Sequence, residues 1–136
     1  MLKKRDVWVI GGVALVALAV LLAWPLLSRN QQARARCYIQ LTVDGVKQPP
    51  RLLERDEDVE IRQESGAVNV LRLTDHSVRM HSSTCHNQLC VQQGEVTLEN
   101  RDIRPLQSLI VCLPNRVSVE LMTESEAQAA LEAAHE

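Results

Sequence analysis

Aromatic side chains are almost absent from this sequence. It has no phenylalanine, one tyrosine (Tyr38) and two tryptophans (Trp8 and Trp24). Both tryptophans lie in an apolar run near the N-terminus, so a folded core further along the chain has to be built from valine, leucine and isoleucine. Valine and isoleucine are β-branched and are enriched in strands, so this composition favours a β domain.

Motifs that commonly indicate an enzyme are missing as well. The sequence contains no glycine-rich phosphate loop, no serine–histidine–aspartate order, no paired catalytic carboxylates and no Cys-x-x-Cys redox motif. We therefore predict no catalytic residues, and the balance favours a protein that is not an enzyme. Residues 37–136 carry nine basic and 16 acidic side chains, a net charge of −7. Because nucleic-acid binding depends on cations that neutralise phosphates, we expect no nucleic-acid partner.

Charged side chains are missing over one long stretch, residues 7–27. Twenty-one helical residues span a hydrocarbon core of about 30 Å, and Trp8 and Trp24 stand near its ends, as interfacial aromatics do. A cleaved signal peptide would have a shorter apolar region and a small-residue cleavage site. The pattern predicts a transmembrane helix at 7–27, between a basic cytoplasmic head at 1–6 and a polar linker at 28–36.

The orientation of this anchor follows from its flanking charges. Lys3, Lys4 and Arg5 form a tight cluster before the span, and the basic residues after it are more dispersed. The positive-inside rule thus places the N-terminus in the cytoplasm. Cysteines later in the chain favour the same orientation, because disulfides persist outside the cytosol. We expect a single-pass protein of the cell membrane with an extracytoplasmic C-terminal domain.

From Cys37 onward the hydrophobic pattern has a period of two, which is typical of half-buried strands. Asp44-Gly45 is a hairpin signal, and Asn115 is interpreted as a turn residue. The predicted strands lie near residues 37–43, 59–61, 68–74, 78–82, 95–98, 109–112 and 117–121. Six or seven short strands with frequent turns predict an all-β fold over 37–122, either a small sandwich or a barrel.

The chain ends in a segment with a helical signal. Thr123-Glu-Ser-Glu126 has the spacing of a capping box, and an alanine-rich stretch follows. We predict a short C-terminal helix within residues 123–136.

Three of the four cysteines form the main candidate site. Cys85 and Cys90 are separated by four residues, and Cys90 and Cys112 are separated by 21 residues. The pattern admits a structural disulfide, a redox-active thiol pair, or a metal centre. A zinc site needs a fourth ligand, so the weak metal candidates are Cys85 with His86 or His81, and no metal or other cofactor is predicted. Cys37 stands just after the linker, and its pairing stays open.

The cysteine motifs resemble those of a known family. Cys85-His-Asn-Gln-Leu-Cys90-Val-Gln-Gln-Gly94, followed by Ile110-Val-Cys-Leu-Pro-Asn-Arg116, is similar to the signature of the NusG domain II-like family, whose members are small membrane-anchored bacterial proteins with a β domain. The resemblance implies a compact all-β fold and no established activity. It also implies an association with extracytoplasmic flavin and quinone electron-transfer systems.

A weaker similarity is to Rieske domains, which also have a Cys-x4-Cys loop facing a second loop with cysteine and proline. A Rieske iron–sulfur cluster needs two histidine ligands at set positions, and the segment after Cys112 has none. The similarity implies that Cys90, rather than Cys85, pairs with Cys112.

Three functions are therefore expected in decreasing order. The first is a non-catalytic accessory or assembly domain that docks onto another membrane or extracytoplasmic protein of a redox system. The second is a thiol–disulfide or cofactor-holding protein that uses Cys85, Cys90 and Cys112. The third is a metal-binding module, with zinc or an iron–sulfur cluster as the candidate group.

Overall fold

The computed structural model describes residues 4–32 and 35–135 of the chain. It divides into two units: an N-terminal helix, α1 (Lys4–Gln32), and a β domain that begins at Ala35. Within α1, Asp6–Pro25 has a mean hydropathy of 2.5. By length and composition this helix can cross a membrane.

The β domain contains two antiparallel sheets. In the described residues its strands are β1 (Cys37–Val43), β2 (Val46–Lys47), β3 (Arg51–Leu52), β4 (Glu57–Arg62), β5 (Val68–Leu73), β6 (Ser77–Ser83), β7 (Val96–Thr97), β8 (Leu109–Cys112) and β9 (Val117–Thr123). One sheet has the order β2-β1-β9-β8, with β3 also paired to β1, and the other has the order β4-β5-β6-β7. The all-β prediction is confirmed in a sandwich-like form, and the barrel alternative is wrong because the two sheets do not close into one.

The described residues form nine strands rather than six or seven. The extra strands are the two-residue β2 and β3, which pair with the two ends of β1 along one edge. Two residues are too few for an alternating pattern to be visible in the sequence. The predicted Asp44-Gly45 hairpin is confirmed: φ is +50° at Asp44 and +80° at Gly45, as a two-residue turn between antiparallel strands requires.

The core lies between the sheets and is aliphatic, as the lack of aromatics requires. The strands alternate in burial, so Leu71 and Leu73 of β5 face inward while Arg72 is exposed. Opposite them, Val117, Val119 and Leu121 of β9 are fully buried or nearly so. These positions belong to one buried cluster that also includes all four cysteines.

The C-terminal helix α3 spans Glu124–Ala133, and its predicted capping box is confirmed. The Thr123 hydroxyl accepts from the backbone N–H of Glu126, while the Glu126 carboxylate accepts from the backbone N–H of Thr123 at 2.8 Å. The same carboxylate accepts two hydrogen bonds from Arg101 at 2.7 and 2.8 Å. Arg101 begins a 3₁₀ turn, Arg101–Ile103, in the segment that connects β7 and β8, so this ion pair links that segment to the start of α3.

We expect Glu126→Gln to remove about 1 kcal/mol of stability at pH 7, a modest value because 43% of the Glu126 side chain is exposed and screened by solvent. The Arg101 hydrogen bonds lower the pKa of Glu126 from 4.5 to about 2. Since the folded-state pKa is depressed, this stabilisation is complete above about pH 4.5 and is lost as the pH falls towards 2. Denaturant unfolding of both proteins between pH 7 and pH 2 should therefore give free energies that converge at low pH.

Glu132→Gln is the matched control, because Glu132 is an exposed glutamate on the same helix. A Glu126→Gln curve that runs parallel to the wild-type curve down to pH 2 would contradict the assignment.

Candidate functional site

Three elements bring Cys85, Cys90 and Cys112 together. Cys85 follows the end of β6, Cys90 lies in a one-turn helix α2 (Leu89–Gln92), and Cys112 ends β8. Their Sγ atoms all lie within 4.8 Å of one another, and the Cys85 and Cys90 sulfurs are 3.5 Å apart. All three side chains are at most 4% exposed. Since β6 and β8 belong to different sheets, the cysteine cluster joins the two sheets through α2.

The sequence pattern predicted no helix in the region of these cysteines, and the presence of α2 shows that this prediction is wrong. Four residues are too few to show a helical period, and local contacts determine where α2 begins. Gln88 adopts a left-handed conformation with φ +53°, and Asn87 Oδ1 accepts a hydrogen bond from the backbone N–H of Leu89 at 3.2 Å. The Gln88 side-chain amide donates to the backbone oxygens of Ser83 and Cys85, at 2.7 and 2.5 Å. These bonds fold the Cys85–Cys90 loop back on itself and turn Cys90 inward.

A second glutamine holds the other side of the cluster. Gln93 Nε2 donates to the Val111 carbonyl at 2.8 Å, and Gln93 Oε1 accepts from the Val111 N–H at 2.8 Å. The side chain thus pairs with β8 as another strand would and satisfies part of an exposed sheet edge. Arg104 donates to the carbonyl of Gln93 at 2.7 Å and reinforces this contact.

A buried network of polar side chains lies next to the three cysteine sulfurs. Asn69, which is 0% exposed in β5, accepts at Oδ1 from Asn115 Nδ2 at 2.8 Å and donates from Nδ2 to Ser83 Oγ at 3.1 Å. Asn115 Nδ2 also reaches Ser83 Oγ at 3.2 Å. The turn position of Asn115 is as expected, but its side chain is buried, and the interpretation as a turn residue alone misses its role in the network.

Ser83 is the central residue of this network. Its Oγ accepts from Asn69, from Asn115 and from the backbone N–H of Cys85 at 3.1 Å, and Cys112 Sγ lies 3.6 Å away. A serine hydroxyl has two lone pairs and one O–H, and three donors already converge on its lone pairs. Its O–H can then be given to the Cys112 sulfur, which lies within hydrogen-bonding reach.

These hydrogen bonds set the acidity of Cys112. Burial acts to raise the pKa of its thiol, but hydrogen bonds from Ser83, Asn69 and the backbone N–H of Asn115 outweigh burial, and the net pKa lies below the usual 9.0. Hydrogen bonds to the charged form favour a thiolate. Of the neighbouring pair Cys90 and Cys112, Cys112 is thus the sulfur that favours the anion.

Cys90 has the opposite character. Burial, together with the neighbouring Cys112 and Cys85 sulfurs, raises the pKa of its thiol from 9.0 to about 12. The cluster therefore combines one sulfur that favours the thiolate with an adjacent sulfur that holds its proton. Such a pair is the arrangement that thiol–disulfide chemistry needs, an attacking thiolate beside a second thiol.

An apolar pocket of about 360 Å³ opens onto two of the sulfurs. Cys90 and Cys112 line it, whereas Cys85 does not. Its other walls include Leu89, Leu106 and Leu113, which are 56%, 42% and 80% exposed. The cysteine cluster is therefore reached through an apolar opening whose rim is exposed to solvent.

The remaining candidates lie elsewhere. Within the described parts of the chain, the only group with metal-ligand geometry is the three cysteines; His81 and His86 are exposed and do not join it. Cys37 is also outside it, and burial raises the pKa of its thiol. All four cysteines are thiols in this structure. The proposed Cys90–Cys112 bridge stays a prediction.

Sequence reasoning missed Asn69 and Ser83. A signal for Asn69 was present: it occupies the same alternation phase as Leu71 and Leu73 in β5, so the pattern places an amide in the core. Ser83 gave no such signal, because it lies at the end of β6, where alternation stops being informative.

Comparisons with known proteins agree with this architecture. Residues 9–125 match the NusG domain II family, which confirms the resemblance seen in the cysteine motifs. The fold is similar to that of the Lin0431 protein from Listeria innocua, with a TM-score of 0.54, 18% identity, and coverage of 65% of this chain and 98% of that one. It is similar also to a DUF1312 family protein from Enterococcus faecalis, with a TM-score of 0.54, 16% identity, and coverage of 65% and 98%. No curated protein matches the chain.

Proposed function

We propose that this chain, which belongs to the NusG domain II family, is a membrane-anchored extracytoplasmic component of a redox system and exchanges disulfides at its three-cysteine centre. The observation that carries the proposal is the cluster itself, three buried sulfurs within 4.8 Å of one another. A cluster that only filled the core would not need the network of Asn69, Asn115 and Ser83, which favours a thiolate at Cys112. Buried polar groups of this kind are costly unless they are fully bonded.

The location supports the same chemistry. Helix α1 is long and apolar enough to span a membrane, and the basic cluster Lys3, Lys4 and Arg5 favours a cytoplasmic N-terminus. The cysteines would then lie in an oxidising compartment, where disulfides form and persist. Electron-transfer systems that use flavins or quinones are the expected setting, as the sequence resemblance implies.

The exchange step uses the two sulfurs in the pocket wall. The Cys112 thiolate attacks one sulfur of a partner's disulfide, and the partner's other sulfur leaves as a thiolate, which takes up the proton from Cys90. The Cys90 thiolate then attacks the Cys112 sulfur and forms the Cys90–Cys112 bond. The partner sulfur that was bound to Cys112 leaves as a thiolate and takes a proton from solvent, which replaces the proton that Cys112 had lost. The centre is oxidised by two electrons, and the partner disulfide is reduced to two thiols.

This exchange predicts a countable change in thiols. The full-length chain in detergent has four cysteines and should take up four maleimides when reduced and denatured. After incubation with a neutral small disulfide, followed by quenching and denaturation, intact mass should show two maleimides fewer and a loss of two hydrogens. Cys112→Ser should slow this oxidation at least about tenfold, because the readily formed thiolate is gone. Cys37→Ser is the matched control and should oxidise at the wild-type rate.

A chain that still takes up four maleimides after oxidant treatment would contradict the exchange. That result would instead favour a non-catalytic accessory domain. One observation supports such a docking role in its own right: Leu89, Leu106 and Leu113 form an exposed apolar rim around the pocket. The docking partner would be another membrane or extracytoplasmic protein, and its contact surface would be apolar.

A further inference from the structure

We propose that, in the reduced chain, Cys85, Cys90 and Cys112 together form a binding site for one thiophilic monovalent cation of the Cu(I) class. This goes beyond the proposed function, because disulfide exchange needs two sulfurs and the cation site needs three.

The sulfur separations suit a single ion. A metal–thiolate bond is about 2.3 Å, so three sulfurs around one ion in a plane stand about 4.0 Å apart. The three Sγ atoms lie within 4.8 Å of one another, and those of Cys85 and Cys90 are 3.5 Å apart. Small rotations of side chains would therefore bring all three sulfurs to bonding distance of one central ion.

The ligand types decide which ion is favoured. Calcium and magnesium require oxygen ligands, and the cluster offers sulfur only. Structural zinc sites are closed by four ligands, and among the described residues His81 and His86, the nearest histidines in sequence, are exposed and outside the group. Thiolates bind Cu(I), zinc and iron–sulfur clusters, and of these Cu(I) suits a three-sulfur set with no fourth ligand among the described residues, because it accepts low coordination.

The surroundings favour anionic sulfur on one side and are apolar on the other. The Ser83 hydroxyl lies 3.6 Å from Cys112 Sγ, and the Gln88 amide lies 3.9 Å from Cys85 Sγ. Opposite them, the pocket wall is apolar, with Leu89 and Leu113 beside Cys90 and Cys112. Polar groups behind the ligands orient them, and an apolar shell limits solvent access, which protects a reduced ion.

The test is a competition titration. The reduced full-length chain in detergent is titrated anaerobically with Cu(I) buffered by a chromogenic Cu(I) chelator. We expect one Cu(I) per chain. Each of Cys85→Ser, Cys90→Ser and Cys112→Ser should weaken binding at least about 100-fold, since even loss of a supporting residue around a metal site costs up to that much. Cys37→Ser should bind as the wild type does, and thermal unfolding checks that each variant is folded.

Three outcomes would overturn the site: no stoichiometric Cu(I) binding, Cu(I) binding that any one of the three serine variants leaves unchanged, or tighter binding of Zn²⁺ than of Cu(I). Cys85→Ser also separates this proposal from the disulfide exchange. It keeps the Cys90–Cys112 pair and should still lose two maleimides on oxidation, but it lacks one ligand. A chain that oxidises normally and binds no Cu(I) refutes the cation site alone, and a chain that binds Cu(I) without oxidising refutes the exchange alone.

Discussion

Asn69→Leu is expected to destabilise the β domain by about 3 kcal/mol. Asn69 is 0% exposed, and its amide both accepts from Asn115 at 2.8 Å and donates to Ser83 at 3.1 Å. Leucine has a similar shape, so the packing is largely kept while the two partners lose a bond. One N–H of Asn115 then has no acceptor, which costs about 1–3 kcal/mol, and the loss of one of the three donors to Ser83 adds to that cost. Denaturant unfolding of the variant and wild type measures the loss directly.

Arg72→Leu is the matched control for that measurement. Arg72 lies on the same strand, faces solvent and has an ion pair with Asp58 at 2.9 Å, which as a surface pair contributes less than about 1 kcal/mol. The Asn69 variant should also require a higher pH for alkylation of Cys112, because Asn69 is one of the groups that lower the pKa of that thiol. Equal stability losses in the two leucine variants would show that the network does not stabilise the fold.

The longer elements could be predicted from the sequence because each has a period of its own. The alternation of Ile39, Leu41 and Val43 predicted β1, which the structure places at Cys37–Val43. The predicted strand at 68–74 is β5, Val68–Leu73, and the capping-box spacing predicted α3. In each case local pattern and tertiary packing favour the same structure, as they do in sequences with a well-defined fold.

The short elements could not be predicted, because tertiary contacts alone determine them. Strand β3 consists of Arg51 and Leu52, which pair with Ile39 and Tyr38 of β1. No pattern in two residues after Pro49-Pro50 indicates a strand, and its existence depends on the distant β1. Helix α2 is similar, since four residues are too few to be stable as a helix without the packing against β6 and β8.

Only part of the candidate site could be predicted from the sequence, because tertiary contacts determine the rest. Spacing identified Cys85, Cys90 and Cys112 as a set, but their separation in space depends on how two sheets meet. The acidity of Cys112 depends on Ser83 and Asn69, which come from two other strands. The sequence motif therefore identified the three cysteines, whereas the packing of the two sheets determines why the thiol pKa is lowered at Cys112 and raised at Cys90.

The second prediction with a large expected effect concerns helix α1. We expect the pair Leu15→Arg and Leu18→Arg, three residues apart on one face of α1, to prevent stable membrane insertion. Each arginine at the centre of a span costs about 2.5–3.5 kcal/mol, so the pair costs about 5–7 kcal/mol. Since every 1.4 kcal/mol is tenfold, the cost corresponds to about a 10⁴-fold change in partitioning. Alkaline extraction of membranes, followed by detection of the chain in pellet and supernatant, measures the result.

Leu15→Ala with Leu18→Ala is the matched control, because it shortens the same side chains without adding charge and should stay in the pellet. The arginine pair also tests whether location governs the thiols. If α1 carries the β domain across the membrane, the wild-type cysteines meet an oxidising compartment, while those of the arginine variant remain among cytosolic reductants. Trapping with maleimide in intact cells should then find an oxidised cysteine pair in the wild type and four thiols in the arginine variant. An arginine variant that stays in the membrane pellet would contradict the anchor, whereas wild-type chains with four free thiols at an extracytoplasmic location would contradict the exchange.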